Sequence, residues 1–290
     1  MKIDNYFDIY INNIRATRTI TTVETYRCRL DSWKRALQSS NMEDISSDEV
    51  QNCIEKMNRK YAAKTVQSNV DIFKAVCKMA YEDGIIAKNP CTDLKVPLVE
   101  RHKPVLLDKD QLKLLYDNAP QDLKVPIAIA IDTGIRRGQI LALSWKDIDF
   151  ETHTILVNKN VVSSKNHIFT NGKEKVGRTV IVSKKLIELL FSMKNQREDF
   201  GKPITNTDYV CLTAKGKPFE GNYFSKRFRK FISSDNNFSN QLRFHDIRWS
   251  YINNRIADGA DPRTVANEVG HSSALYTLDY YCKFYEKKVA

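Results

Sequence analysis

The stretch IDTGIRRGQILALSW, residues 131–145, decides how the second half of this chain folds. Ile135, Ile140, Leu141 and Leu143 call for a buried helix, yet Arg136 opens it directly after a Thr133-Gly134 break. A helix start is the positive end of the dipole, where a cation is disfavoured unless an anion is near. The segment therefore reads either as two solvated arginines at a helix start or as an anion site.

Upstream, DKDQLKLLYDNA (108–119) and LKVPIAIAIDTG (123–134) are helical in pattern. Downstream, THTILVN (152–158), NVVSSKNHIF (160–169) and RTVIVS (178–183) are short and rich in β-branched residues. Asn171-Gly172 is expected to be a turn between the last two. Helices resume at KKLIELLFSMKNQRED (184–199) and run to the end, with Asp261-Pro262 as an N-cap followed by a first-turn proline. This half is expected to be mostly helical with one small antiparallel sheet.

The first hundred residues carry only helical periods. Val23, Tyr26, Leu30, Trp33 and Leu37 recur at three and four, as do Val50, Ile54 and Met57. Val66, Val70, Phe73, Cys77 and Ala80 form a third stripe, with Gly84 where a helix would stop. A bundle of about four helices is expected. NPCTDLKVPLVERHKP (89–104) then breaks the period with three prolines. The expected organisation is a helical domain over 1–97, a linker over 98–104 and a second domain over 105–290.

At 290 residues, 42% hydrophobic and 28% charged, the chain is long enough for two cores and too apolar for disorder. Net charge is +11, divided as +3 over residues 1–103 and +8 over the remainder. Both halves thus suit a polyanionic partner such as nucleic acid. No apolar run approaches the roughly 20 residues of a membrane span. Asp4 and Asp8 interrupt the place where a signal peptide would be apolar, so a cytoplasmic protein is expected. The six cysteines form no C-x-x-C pair and read as reduced thiols, with neither disulfides nor a metal site expected.

Two further stretches bear on chemistry. In RFHDIRWSYINNRIADG (243–259), His245 and Arg248 are three apart and share a helix face, where both could meet one anion. A surface histidine beside a salt-bridged arginine is the plain alternative. In GHSSALYTLDYYCKFYEKKVA (270–290), His271 sits at a helix start. Leu275, Leu278, Cys282 and Tyr285 make one stripe with Tyr281 beside it, while Tyr280 lies about 100° away with Tyr276. Tyr281 is therefore expected to pack, leaving Tyr280 freer to meet a substrate.

Taken in order, TGIR, a lysine in a β-hairpin, HDIR, and a Gly-His pair followed nine residues on by a tyrosine resemble the tyrosine recombinase (phage integrase) family. The resemblance covers nearly the whole chain. It implies a helical-bundle core DNA-binding domain followed by a catalytic domain that is mainly α with a small antiparallel sheet. It implies a catalytic set of Arg136, Lys173, His245, Arg248, His271 and Tyr280, with Lys175 a close competitor of Lys173. One departure is Gln139, where the family usually has an acidic residue; an amide can orient Arg136 but adds no charge.

Each residue type suits phosphoryl transfer. Only about one phenol in a thousand is ionised at neutral pH, so Tyr280 needs a base, for which His245 is the candidate. Arg136 and Arg248 would clamp the non-bridging oxygens and His271 would add a donor. The lysine would protonate the leaving 5′ oxygen. No metal is expected, in keeping with the lack of a carboxylate cluster in the sequence, and no ATP, since there is no phosphate-binding glycine loop and a 3′-phosphotyrosine would store the bond energy.

The expected function is site-specific recombination of duplex DNA sites in a mobile genetic element, through a Holliday junction. The resemblance implies a tetramer on DNA, a tail that docks on a neighbouring protomer, and room for a directionality factor. Expected DNA contacts are Arg18, Lys64, Thr65 and Gln67 in the first domain, and Lys226 and Arg227 in SKRFRKF (225–231). A type IB topoisomerase and an inert DNA-binding accessory protein are the rival readings. The first helix starts too near residue 1 to leave room for an arm-binding domain. The expectation is a simpler recombinase, of the chromosome-dimer-resolution kind, or a chain lacking that part.

Overall fold

The computed structural model describes residues 1–100, 103–161, 169–171, 177–199, 205, 208–271 and 273. The chain divides into two compact units, Met1–His102 and Lys103–Ala290.

The first unit is four helices: α1 (Ile3–Arg15), α2 (Ile20–Ala36), α3 (Ser47–Lys60) and α4 (Ala63–Glu82). Three match the stripes read from the sequence. The fourth, α1, buries Ile3, Tyr6, Phe7, Tyr10 and Ile11, an i, i+3, i+4 pattern of the same kind. The core centres on Trp33, whose ring stacks on Phe73 with centroids 4.0 Å apart. Its indole nitrogen donates to the Asn69 carbonyl at 3.0 Å, so the buried N–H is satisfied. The Ser46 hydroxyl caps α3 by accepting from the Glu49 N–H.

The second unit begins with α5 (Lys109–Asn118) and α6 (Gln121–Thr133). Asp108 and Gln111 form a reciprocal capping box on α5. Gly134 ends α6 at φ 60°, and the short α7 (Arg137–Leu141) starts three residues later. A methyl on Gly134 would lie 2.4 Å from Tyr251 Cδ1 and 3.0 Å from Val269 Cγ1, so both backbone conformation and space demand glycine.

Among the described residues five short strands follow: β1 (Ile148–Asp149), β2 (Thr154–Val157), β3 (Lys159–Val161), β4 (Phe169–Asn171) and β5 (Arg178–Ile181). Here one expectation is corrected. The β stretches on either side of Asn171-Gly172 are not partners of one another, and Gly172 itself lies outside the described residues. Instead β4 pairs antiparallel with β3, and β5 pairs antiparallel with β2 in a sheet of order β1-β2-β5. Burial explains the choice, because the β2–β5 register sets buried Ile155 opposite buried Val180. Gly177 lets the chain enter β5 close beside Asn158, where a Cβ would lie 2.8 Å from that residue's own.

Helices α8 (Lys184–Asp199), α9 (Gly221–Ser233), α10 (Phe244–Ala257) and α11 (Pro262–Val269) complete the described unit. Phe224 and Phe228 meet Phe244 edge-on, tying α9 to the start of α10. Asp261 accepts from the Thr264 N–H ahead of Pro262, as the sequence indicated. The fold class is therefore mainly helical, with small antiparallel sheets in the second unit and an isolated Lys2–Asn41 bridge in the first. Among the described residues no helix is long and apolar enough to cross a membrane. The five described cysteines are free thiols, four of them buried.

Candidate active site

The site is built on the end of α11. The last carbonyls of a helix have no partner within it. Here the His271 N–H donates to the Ala266 carbonyl at 2.8 Å and the Gly270 N–H to that of Asn267 at 3.1 Å. Gly270 permits this by adopting φ 71°. The next three carbonyls face guanidinium groups. Arg178 Nε donates to Glu268 at 3.2 Å, and Arg178 Nη2 to Val269 at 3.1 Å. Arg248 Nη1 donates to Val269 at 2.8 Å and to Gly134 at 2.8 Å. Arg136 Nη2 donates to Gly270 at 2.7 Å. This is the negative end of the helix dipole, where cations are favoured.

The segments that supply these arginines are held locally. Arg136 precedes the first residue of α7, and its N–H donates to Gln139 Oε1 at 3.1 Å. Gln139 thus orients Arg136 through the backbone, and the same oxygen accepts from Arg178 Nη2 at 3.3 Å. Arg248 is 2% exposed on α10, one turn after His245. The acceptors named here are backbone carbonyls and a side-chain amide.

The imidazoles complete the cluster. The Trp249 ring lies 5.9 Å from the His245 ring and 5.9 Å from the His271 ring. By accessible surface His245 is exposed at the start of α10 and His271 is half-buried. Desolvation, then Arg248, Arg136 and Arg137, push His245 down to about 4. Desolvation, then Arg248, Arg136, His245 and Arg178, push His271 down to about 3. Both rings are consequently neutral near pH 7 and able to accept a proton or a hydrogen bond.

Arg136, His245, Arg248 and His271 are therefore brought together from three separate segments. Arg137 takes another direction, since burial lowers its proton affinity and it donates to Ser225 Oγ on α9. The alternative of two solvated arginines does not hold. Lys173, Lys175, Tyr280, Tyr281, Tyr276 and Tyr285 lie outside the described residues. Among the described residues no cluster of three His, Cys, Asp or Glu is placed to hold a metal ion.

Of the expected DNA contacts, Arg18 and Lys64 are exposed and Thr65 and Gln67 half-buried in the first unit. Lys64 Nζ donates to Gln67 Oε1 at 3.4 Å. On α9, Lys226 is exposed, but Arg227 turns inward. It makes a bidentate pair with Asp122, at 3.0 and 2.9 Å. The helical pattern of SKRFRKF could not reveal a partner 105 residues away. The sequence reading also passed over Trp249 and Glu268. Glu268 accepts from Tyr251 at 2.8 Å and pairs with Arg255 at 2.7 Å, fixing the end of α11 to α10. Their only sequence signal is nearness to the HDIR and Gly-His boxes.

Residues 106–287 match the model of the phage integrase family, and residues 3–96 match the phage integrase SAM-like domain. The chain is 29% identical over 233 residues to the ICEBs1 integrase of Bacillus subtilis (strain 168). That alignment covers 78% of this chain and 63% of the relative, so the chain spans under two thirds of the relative's length. In fold it is similar to a fragment of the Tn1549 transposon integrase in complex with a circular intermediate DNA. The TM-score is 0.82 at 18% identity, over 97% of this chain and 95% of that one. It is also similar to a lambda integrase tetramer bound to a Holliday junction, with TM-score 0.71 at 16% identity, over 94% and 78% of the two chains. At these identities the two structural likenesses speak to the fold.

Proposed function

The chain belongs to the phage integrase family, and from that premise we propose that it is a site-specific DNA recombinase acting through a 3′-phosphotyrosine. The observation that carries this reading is the gathering of Arg136, Arg248, His245 and His271 at the end of α11. A phosphodiester placed there meets two guanidinium groups able to bind its non-bridging oxygens, in competition with neutral carbonyls. Neutral His245 accepts the phenolic proton as Tyr280 Oη attacks phosphorus. The bond to the 5′ oxygen breaks, and that oxygen takes a proton from Lys173 or Lys175. His271 donates to the phosphate. Rejoining reverses these transfers with the 5′ hydroxyl of the partner strand as nucleophile.

In this reading residues 1–97 form the core DNA-binding domain and 105–290 the catalytic domain, joined by the linker 98–104. Arg18, Lys64, Thr65, Gln67 and Lys226 touch DNA, mostly at phosphates. Strand exchange in pairs requires four protomers on two duplex sites, as in the lambda integrase assembly. A directionality factor is a partner this reading admits.

The test uses nicked duplexes carrying the junction sequence that flanks the gene, which trap a covalent adduct. Peptide mapping is expected to place the DNA on Tyr280, and Tyr280→Phe is expected to bind DNA without forming an adduct. An adduct on Tyr276, Tyr281 or Tyr285 overturns the nucleophile, and no adduct at all overturns catalysis. Relaxation of supercoiled plasmid lacking that junction favours a topoisomerase instead.

A further inference from the structure

Arg178 touches more of the site's framework than its place in the sequence suggests. It is the first residue of β5, opposite Val157 of β2. In the sequence it follows Lys173 by five residues and Lys175 by three. Its guanidinium reaches three acceptors on two other elements: the Glu268 and Val269 carbonyls at the end of α11, and Gln139 Oε1 on α7. The Gln139 oxygen is the one that accepts from the Arg136 N–H. The two carbonyls come just before Gly270, which holds the Arg136 side chain, and His271. Behind Arg178, close packing of Gly177 on Asn158 leaves the start of β5 little freedom to shift.

A lysine could not replace this residue. A planar guanidinium presents donors in a fixed fork and can reach acceptors on both elements together, whereas an ammonium is a point charge on a flexible stem. Its bonds to two carbonyls at the end of α11 and to Gln139 tie β5 to both neighbouring elements, which suits a brace.

We propose that Arg178 is a positioning residue: it braces the strand that follows the candidate general-acid lysines against both the Arg136 and the His271 segments, and so sets where that lysine meets the leaving oxygen. It does not itself hold the phosphate. The proposal rests on the reading of Lys173 or Lys175 as the general acid.

The experiment compares two nicked duplexes, one with the ordinary 5′ bridging oxygen at the scissile phosphate and one with sulfur there. A thiolate leaves without a proton, so misplacing the acid slows the first substrate and spares the second. Arg178→Ala and Arg178→Lys are measured on both, beside the double variant Lys173→Ala/Lys175→Ala. Each comparison is a ratio of rates within one protein preparation, so loss of folded protein cancels.

Arg178→Ala is expected to cleave the oxygen substrate about 10²-fold more slowly, the scale of an ångström's misplacement, and to regain most of that loss on sulfur. Arg178→Lys is expected to behave like Arg178→Ala. Equal loss on both substrates, with the double lysine variant rescued by sulfur, overturns the positioning role alone. Unchanged rates in Arg178→Ala also overturn it. A double lysine variant that sulfur fails to rescue overturns the general-acid reading, and the role of Arg178 falls with it.

Discussion

Arg136 donates to the carbonyl of Gly270 at 2.7 Å, across 134 residues of sequence. That bond joins the first arginine box to the residue just before His271. It is one of three places where an arginine caps the end of α11, and together they make the helix terminus the floor of the site. The arrangement uses a general property of helices, the unpaired last carbonyls, to hold guanidinium groups of like charge close together.

Arg248 serves both fold and chemistry, and the two can be separated. Arg248→Lys is expected to reduce adduct formation by about 10²–10³-fold, the scale of losing one well-placed donor to a transition-state oxyanion. DNA affinity, which rests on many phosphate contacts, should change far less. Gel shift and trapping on the same duplex measure both. Normal cleavage, or a loss explained by binding alone, would falsify the assignment.

Gly134→Ala should be costly although it adds only a methyl. The backbone sits at φ 60°, and the methyl collides with the Tyr251 ring that Glu268 holds. A loss of more than about 1 kcal/mol is expected in urea unfolding of the second unit, as for alanine at an incompatible glycine. A neutral result would mean that Tyr251 moves aside freely.

The second unit should lose stability as pH falls. His245 and His271 are pushed down from the ordinary 6.5, to about 4 and about 3 respectively. Between 6.5 and those values the unfolded chain binds protons that the folded chain refuses, so the stabilisation present above 6.5 declines as pH drops. Urea midpoints from pH 7.5 to 4.5 should show this decline, and His271→Gln should flatten it. An unchanged slope in that variant would assign the decline to other groups.

Neighbours on α9 should part company. Lys226→Ala is expected to lower the slope of log affinity against log salt by about 1, as for one lost phosphate contact. Arg227→Ala should leave that slope alone and lower the unfolding midpoint, because it strips buried Asp122 of a bidentate partner. The reverse pattern would return Arg227 to the DNA surface.

Much was legible from residue order alone, because local rules set it. Trp33 and Phe73 announce a helical core through their three-and-four spacing, Asp261-Pro262 marks a helix start, and His245 and Arg248 must share a face wherever α10 lies. These depend on the helical repeat, which acts over a few residues. The tertiary structure decided the rest. It paired β5 with β2, since burying Ile155 against Val180 is a choice among several β-rich partners. It turned Arg227 onto Asp122 and drew Arg178 to the end of α11. The acceptors there are backbone carbonyls, which every residue carries, so no side-chain pattern can mark them; only the tertiary fold brings Arg136, Arg178 and Arg248 to the end of α11.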